Sequence, residues 1–410
     1  MQRNVRWALC VMMFLQYMIW GAWYPDFSVY MEKTLGFSGI QSGVIYSLLN
    51  FGCMLAPFIA GQLADRYFAA QKLIAVLHLL GAVALFLAAK ATAFSNLVLL
   101  MGLWAALYGP TLALTNSITF QHMPEAEEKF GLVRVWGTLG WIAVGWTLSG
   151  IVRKFGLFNG LGGADSLWLA GGLSVLLGLF AFALPHTPPA KKGTNPWAFL
   201  EAVKLMREPQ VAVFIVISFV VSTELAFYYL LTGPFLAAIG VTQSQIPFWM
   251  SIAQMAEIGT MLALPWMLRH WGVRKTMLVG ILSWPIRYAV FALYFGLPQG
   301  IVLAALTLHG LCYVCFFVVS FIYINQVATD DIRASAQGLI TFVTLGLGMW
   351  LGNYFAGWVR DIFTTTVNGT STVNWFYVFL LPLVITVLCA IVFLFTFKER
   401  REVAQAEQMA

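Results

Sequence analysis

The sequence predicts an all-α membrane protein, with twelve transmembrane helices in two pseudo-symmetric six-helix bundles. Three observations carry that reading. Of 410 residues, 60% are hydrophobic and only 10% are charged, against roughly 25% charged in a soluble domain; a water-soluble enzyme is excluded. Apolar runs of about 20 residues, the length that crosses a bilayer, recur along the whole chain. The longest polar stretch inside the chain falls at its middle, where residues 186–206 hold His186, Pro188, Pro189, Lys191, Lys192, Gly193 and Asn195. A β-barrel would instead need segments of about ten alternating residues, whereas Leu167 to Leu184 is apolar on every face apart from Ser174.

Taken in order, the crossings are expected near 7–30, 40–63, 71–90, 94–121, 131–152 and 166–185. Six more follow near 210–238, 246–268, 275–294, 299–327, 335–359 and 374–397. The expected division is a first bundle over 1–185, a cytoplasmic linker over 186–206 and a second bundle over 207–410. Most Lys and Arg residues fall on one side of this arrangement, and only Lys33, Lys90, Arg153, Lys154 and Arg360 fall on the other. Basic loops stay inside, so both termini are expected in the cytoplasm. The formal net charge of +6 then reports topology and points to no nucleic-acid partner. The first apolar run ends in Trp23, Tyr24, Pro25 and Asp26 and not in small residues, so the first helix is expected to act as its own insertion signal.

Several chemistries are not provided for. The five cysteines, Cys10, Cys53, Cys312, Cys315 and Cys389, all lie in apolar segments, which offers no disulfide framework. Cys312 and Cys315 spell C-x-x-C without further ligands at zinc spacing, so no metal and no cofactor is expected. No P-loop appears, and ATP-driven transport would need a separate subunit. An ion gradient is the expected energy source, and a membrane enzyme or receptor is the weaker class. Asn368-Gly-Thr370 is a glycosylation sequon in an expected outside loop.

An ionisable side chain in the hydrocarbon region is costly unless paired or wet, so each is a functional candidate. These are Asp26, Arg134, Glu224, Glu257, Arg287 and His309. In the fifth crossing, Arg134, Thr138 and Trp141 share one helical face, where an indole can stack on a ring while the guanidinium bonds hydroxyls. The alternative is that Arg134 snorkels to the interface and Trp141 packs against a neighbour. In the eighth crossing Ser251, Gln254 and Glu257 share a face, an amide and a carboxylate suited to vicinal hydroxyls. The seventh carries Glu224 with Phe227, Tyr228 and Tyr229. Pairing of Glu224 or Glu257 with Arg287 for bundle stability alone, and His309 as a neutral helix contact, stand as the structural alternatives. The loop Gly61-Gln-Leu-Ala-Asp65-Arg66, echoed by Arg269 to Lys275, reads as conformational machinery or as a solvated loop.

The Gly61-x-x-x-Asp65-Arg66 loop, the twelve crossings and the central linker resemble the major facilitator superfamily. Phe14-Leu-Gln16 with Trp20-Gly-Ala-Trp23, the run from Pro110 to Ile118, the run from Arg134 to Trp141, and Ile332 to Gly338 resemble bacterial nucleoside:proton symporters. That resemblance implies import of a nucleoside by alternating access across the bacterial cytoplasmic membrane. The implied substrate set is Arg134, Thr138, Trp141, Gln254 and Glu257, to which Tyr229, Tyr313 and Gln16 are added. Where such permeases carry a glutamine in the seventh helix and an aspartate in the tenth, this chain has Ala226 and Val314. The lactose-permease-like sugar:proton symporters are similar at Phe130-Gly131, Arg134, Trp141, Arg287 and His309, but their acidic residue in the tenth helix is Cys312 here. A proton-coupled mechanism must therefore use Glu257, Glu224 or Asp26, with Arg287 and His309 as further coupling candidates. Glu257, one turn from Gln254, is the favoured carrier. A sugar symporter or a uniporter is the alternative, and the expected partners are a nucleoside or sugar-like solute, the proton and the lipid bilayer, with a monomeric protein.

Overall fold

A computed structural model of the chain describes residues 3–66, 68–123, 126–189, 197, 199–329, 332–368 and 370–397. Helices occupy each of the twelve stretches that the sequence predicts, as backbone in hydrocarbon must satisfy its own hydrogen bonds. The first crossing is α1 (Arg3–Trp23) and α2 (Phe27–Lys33). They are separated at Pro25, which has no N–H for a helical bond and restricts the residue before it. Then come α3 (Gly39–Arg66), α4 (Ala70–Lys90), α5 (Phe94–His122), α6 (Ala126–Thr147) with a π-helical turn Leu148–Arg153, and α7 (Asp165–Ala181).

In the linker region α8 (Phe199–Ala202) runs into a 3-10 turn, Val203–Arg207. The next helices are α9 (Pro209–Ala238) and α10 (Ile246–Ala292). Two expected crossings meet inside α10, where only Gly272 leaves the helical region, at φ 72° and ψ 175°. That conformation is essentially reserved to glycine, so a loop expected around 269–274 shrinks to one residue. The tenth crossing is α11 (Gln299–Ala304), α12 (Leu308–Cys312) and α13 (Val319–Val327), joined by a 3-10 turn and by a π-helical turn Tyr313–Val318. The eleventh is α14 (Arg333–Thr341), a second π-helical turn Phe342–Gly348, and α15 (Met349–Ile362).

A hairpin of β1 (Thr364–Val367) and β2 (Thr370–Val373) precedes α16 (Trp375–Thr396), with Thr364 opposite Val373. This hairpin replaces the outside loop expected there. β-branched runs flanking Asn-Gly are a hairpin signal, and Asn368 takes φ 53° as the turn requires. Nine helical stretches among the described residues are long and apolar enough to span a membrane, and Asp165–Ala181 is a shorter apolar helix.

The chain packs as two compact units, one of Met1–Pro196 with Tyr229–Ser251, the other of Trp197–Tyr228 with Ile252–Ala410. The stretch 229–251 thus packs with the first unit although it follows the linker. In the first unit α3 lies on α5, α1 on α6 and α7, and α4 on α5 and α7. Lipid tails are as apolar as the side chains, so close packing and buried hydrogen bonds hold such helices together. Gln16 supplies one such knot. Its amide nitrogen donates to Thr111 Oγ1 at 2.7 Å, its Oε1 lies 2.9 Å from His78 Nε2, and its carbonyl accepts from the Tyr108 hydroxyl. In the second unit α14 packs on α8 and α13.

Candidate functional site

In the first unit the expected stripe on α6 is met by a ladder of rings from α1. The Arg134 guanidinium lies 4.0 Å from the centre of the Tyr17 ring, a cation–π contact. Tyr17 stacks on Trp20 at 6.2 Å, and Trp20 meets Trp141 edge-on at 5.3 Å. Trp141 also faces Tyr24 at 6.3 Å and Tyr229 at 6.0 Å. Arg134, Trp141 and Tyr229 are therefore joined by one aromatic wall, and Thr138 sits half-buried between the first two. Close approach builds the wall: a Cβ on Gly137 would meet the Tyr17 ring at 2.6 Å and Arg134 Nη1 at 2.8 Å. The sequence reading missed Tyr17 and Tyr24 as parts of this wall. Their spacing with Trp20, three and four residues apart on one helical face, was the available signal.

Gln16 is placed elsewhere. It is fully buried, and both ends of its amide are engaged by Thr111 and His78. Asp26 is likewise committed: its Oδ2 pairs with Arg153 Nη1 at 2.6 Å. Arg153 also holds Asp165 through two contacts, at 2.7 and 2.9 Å, and donates to the Gln243 carbonyl at 2.9 Å. One guanidinium thus fastens the turn after α1, the end of the α6 π-turn, the start of α7 and the turn before α10.

In the second unit the geometry centres on Arg287, which is fully buried. Its guanidinium carbon is 4.3 Å from the ring centre of Tyr228, 4.5 Å from that of Trp284 and 5.3 Å from that of Tyr288. Nη1 is 3.4 Å from His309 Nδ1, while Nε and Nη2 have no hydrogen-bond partner. His309 stacks on Tyr228 at 4.5 Å and on Tyr313 at 5.9 Å. Arg287, His309 and Tyr313 are therefore one cluster, and Glu257, half-buried, acts electrostatically on its Tyr228. Cys312 and Val314 put no carboxylate there and are both buried. Gln254 is buried and its Oε1 lacks a hydrogen-bond donor.

Glu224 is fully buried. Its Oε2 has no partner, and its Oε1 meets only the Thr223 hydroxyl at 3.5 Å. Its backbone carbonyl accepts from the Tyr288 hydroxyl at 2.6 Å. The conformational candidates Gly61, Asp65 and Arg66 end α3, and their side chains lie outside the described residues. Among the described residues no group of three or more His, Cys, Asp or Glu is placed to hold a metal ion.

The first unit thus carries an aromatic wall with an arginine, and the second carries a ring-caged guanidinium and an amide oxygen without a donor. Known proteins agree with that architecture. The chain is 34% identical over 402 residues to the putative nucleoside transporter YegT of Escherichia coli, covering 95% of this chain and 93% of that protein. It is 30% identical over 413 residues to the nucleoside permease NupG of Escherichia coli, covering 96% of each. A crystal structure of nucleoside transporter NupG superposes with a TM-score of 0.85 at 29% identity, covering 97% of this chain and 100% of that one. The family described as "Nucleoside H+ symporter" matches residues 2–402, and the chain is a member of that family of transporters with the major facilitator fold.

Proposed function

We propose that this protein imports nucleosides together with protons across the bacterial cytoplasmic membrane by alternating access, with both termini in the cytoplasm and a monomer as the working unit. The observation that supports this best is the wall in the first unit. A nucleoside offers a flat base and a hydroxyl-bearing ribose, and Trp141 with Arg134 offers an indole face and a guanidinium in one contact network. Thr138 and Tyr229 add hydroxyls, and in the second unit Gln254, Glu257 and Tyr313 are the proposed contacts. The unanswered Gln254 oxygen suits a ribose hydroxyl. Gln16 holds α1, which also carries Tyr17 and Trp20, to Thr111 and His78. Gly61, Asp65 and Arg66 are assigned to the conformational step and not to the substrate.

Uptake of labelled uridine and adenosine into proteoliposomes under an imposed pH gradient tests the reading, and accumulation of either supports it. The contact between Arg287 and His309 favours a second reading, a sugar:proton symporter, because those two positions match the sugar carriers. Uptake of a disaccharide with neither nucleoside carried would select it.

A further inference from the structure

We infer that Glu224 is the residue that carries the coupled proton, with Arg287 as the cation that replaces the proton when it leaves; this rests on the proposed nucleoside:proton symport. The three membrane carboxylates are differently housed. Asp26 holds Arg153 at 2.6 Å, so its charge has a standing counter-ion. Glu257 is half-buried and is placed among the proposed substrate contacts. Glu224 and Asp26 are both fully buried with an oxygen that has no hydrogen-bond partner, and of the two only Asp26 has an ion pair. The one hydroxyl near its other oxygen, that of Thr223, already donates to the Val220 carbonyl at 2.7 Å. A bare carboxylate in such a place is costly, whereas the neutral acid is not.

The counter-charge is at hand but unused. Arg287 and Glu224 are electrostatically coupled, and both interact with Tyr288, through its ring and its hydroxyl respectively. No ion pair joins them, and the nitrogens Nε and Nη2 of Arg287 have no carboxylate partner, Tyr288 being the polar side chain that acts on the guanidinium beside His309. Among the described residues, the groups facing Glu224 are few. Arg287 and Tyr288 come from α10 and Cys389 from α16, while α15 meets this stretch through Gly352 beside Thr223 and Ala226, which brings no titratable group. Around Arg287 stand Tyr228, His309 and Cys312.

The step balances simply. Glu224 takes a proton from external water as the uncharged acid, gives it to cytoplasmic water, and the carboxylate left behind pairs with the Arg287 guanidinium until it is protonated again. Each proton that crosses with substrate thus alternates an uncharged acid with an ion pair, so the Glu224 carboxylate is never left buried without a counter-ion. Closing that ion pair draws α9 and α10 together, which ties the proton to the conformational change.

The test compares wild-type, Glu224→Gln and Glu224→Asp proteins in proteoliposomes. Glu224→Gln is expected to lose all uptake above equilibrium under a pH gradient while keeping uridine counterflow at equal pH. Glu224→Asp is expected to restore accumulation with a displaced pH profile, which a packing role would not give. Accumulation that survives in Glu224→Gln overturns the inference. So does loss of counterflow in a Glu224→Gln protein that keeps wild-type thermal stability and substrate binding in detergent. If wild-type protein carries no nucleoside at all, it is the proposed function that fails, and the two failures are separate.

Discussion

Arg153 and Arg287 are both arginines set among helices, and they are compensated in opposite ways. Arg153 holds two carboxylates and a backbone carbonyl, at 2.6 to 2.9 Å. Arg287 has three ring faces, one imidazole nitrogen and an interaction with the Tyr288 side chain, and among the described residues no carboxylate pairs with it. A cation whose donors are all answered by fixed acceptors is a fastener, because any movement breaks several charged bonds at once. A cation held by polarisable rings keeps its position while leaving donors free for a partner that arrives later. The first arrangement suits the stretch 229–251, which it fastens to the first unit; the second suits a charge that must change partners each cycle.

The largest expected effect breaks the fastened side. Arg153→Met leaves Asp26 buried without its counter-ion and should lower stability in detergent by about 3–5 kcal/mol. Adding Asp26→Asn should return much of that loss. A single variant as stable as wild type would show that the triad is not a fastener. On the other side, Arg287→Lys keeps the charge but loses the planar stack, so about 1–2 kcal/mol of stability is expected to go while pH-driven accumulation is lost. Equal destabilisation by the two arginine variants, with coupling intact in Arg287→Lys, would erase the distinction drawn between them. A smaller effect is expected at the aromatic wall. Trp141→Ala should raise the apparent KM for uridine by about tenfold, equivalent to about 1.4 kcal/mol, with membrane insertion unchanged. An unaltered KM would remove the stacking role.

The contrast between the arginines also marks where the sequence stops informing. Composition and run length suffice for the helices, because hydrocarbon allows little else. The stripe of Arg134, Thr138 and Trp141 was legible because helical periodicity alone puts residues seven apart on one face. Contacts between distant segments were not: nothing in the chain tells that Arg153, which reads as one of a few basic residues on the outside, meets Asp26 and Asp165, or that Arg287 meets His309 and neither glutamate. That Gln16 meets Thr111 and His78 was hidden for the same reason, since both partners come from other helices. Gly272 and the hairpin at 364–373 carried local signals that the apolar pattern overshadowed.

The account depends most directly on the movement of protons with nucleoside. In lightly buffered suspension, adding uridine to proteoliposomes that contain the wild-type protein, with no pH gradient imposed, should alkalinise the outer medium as protons enter with substrate. The signal should depend on uridine concentration and vanish in Glu224→Gln. Uridine entry without any change in outside pH would contradict symport and leave a uniporter in its place.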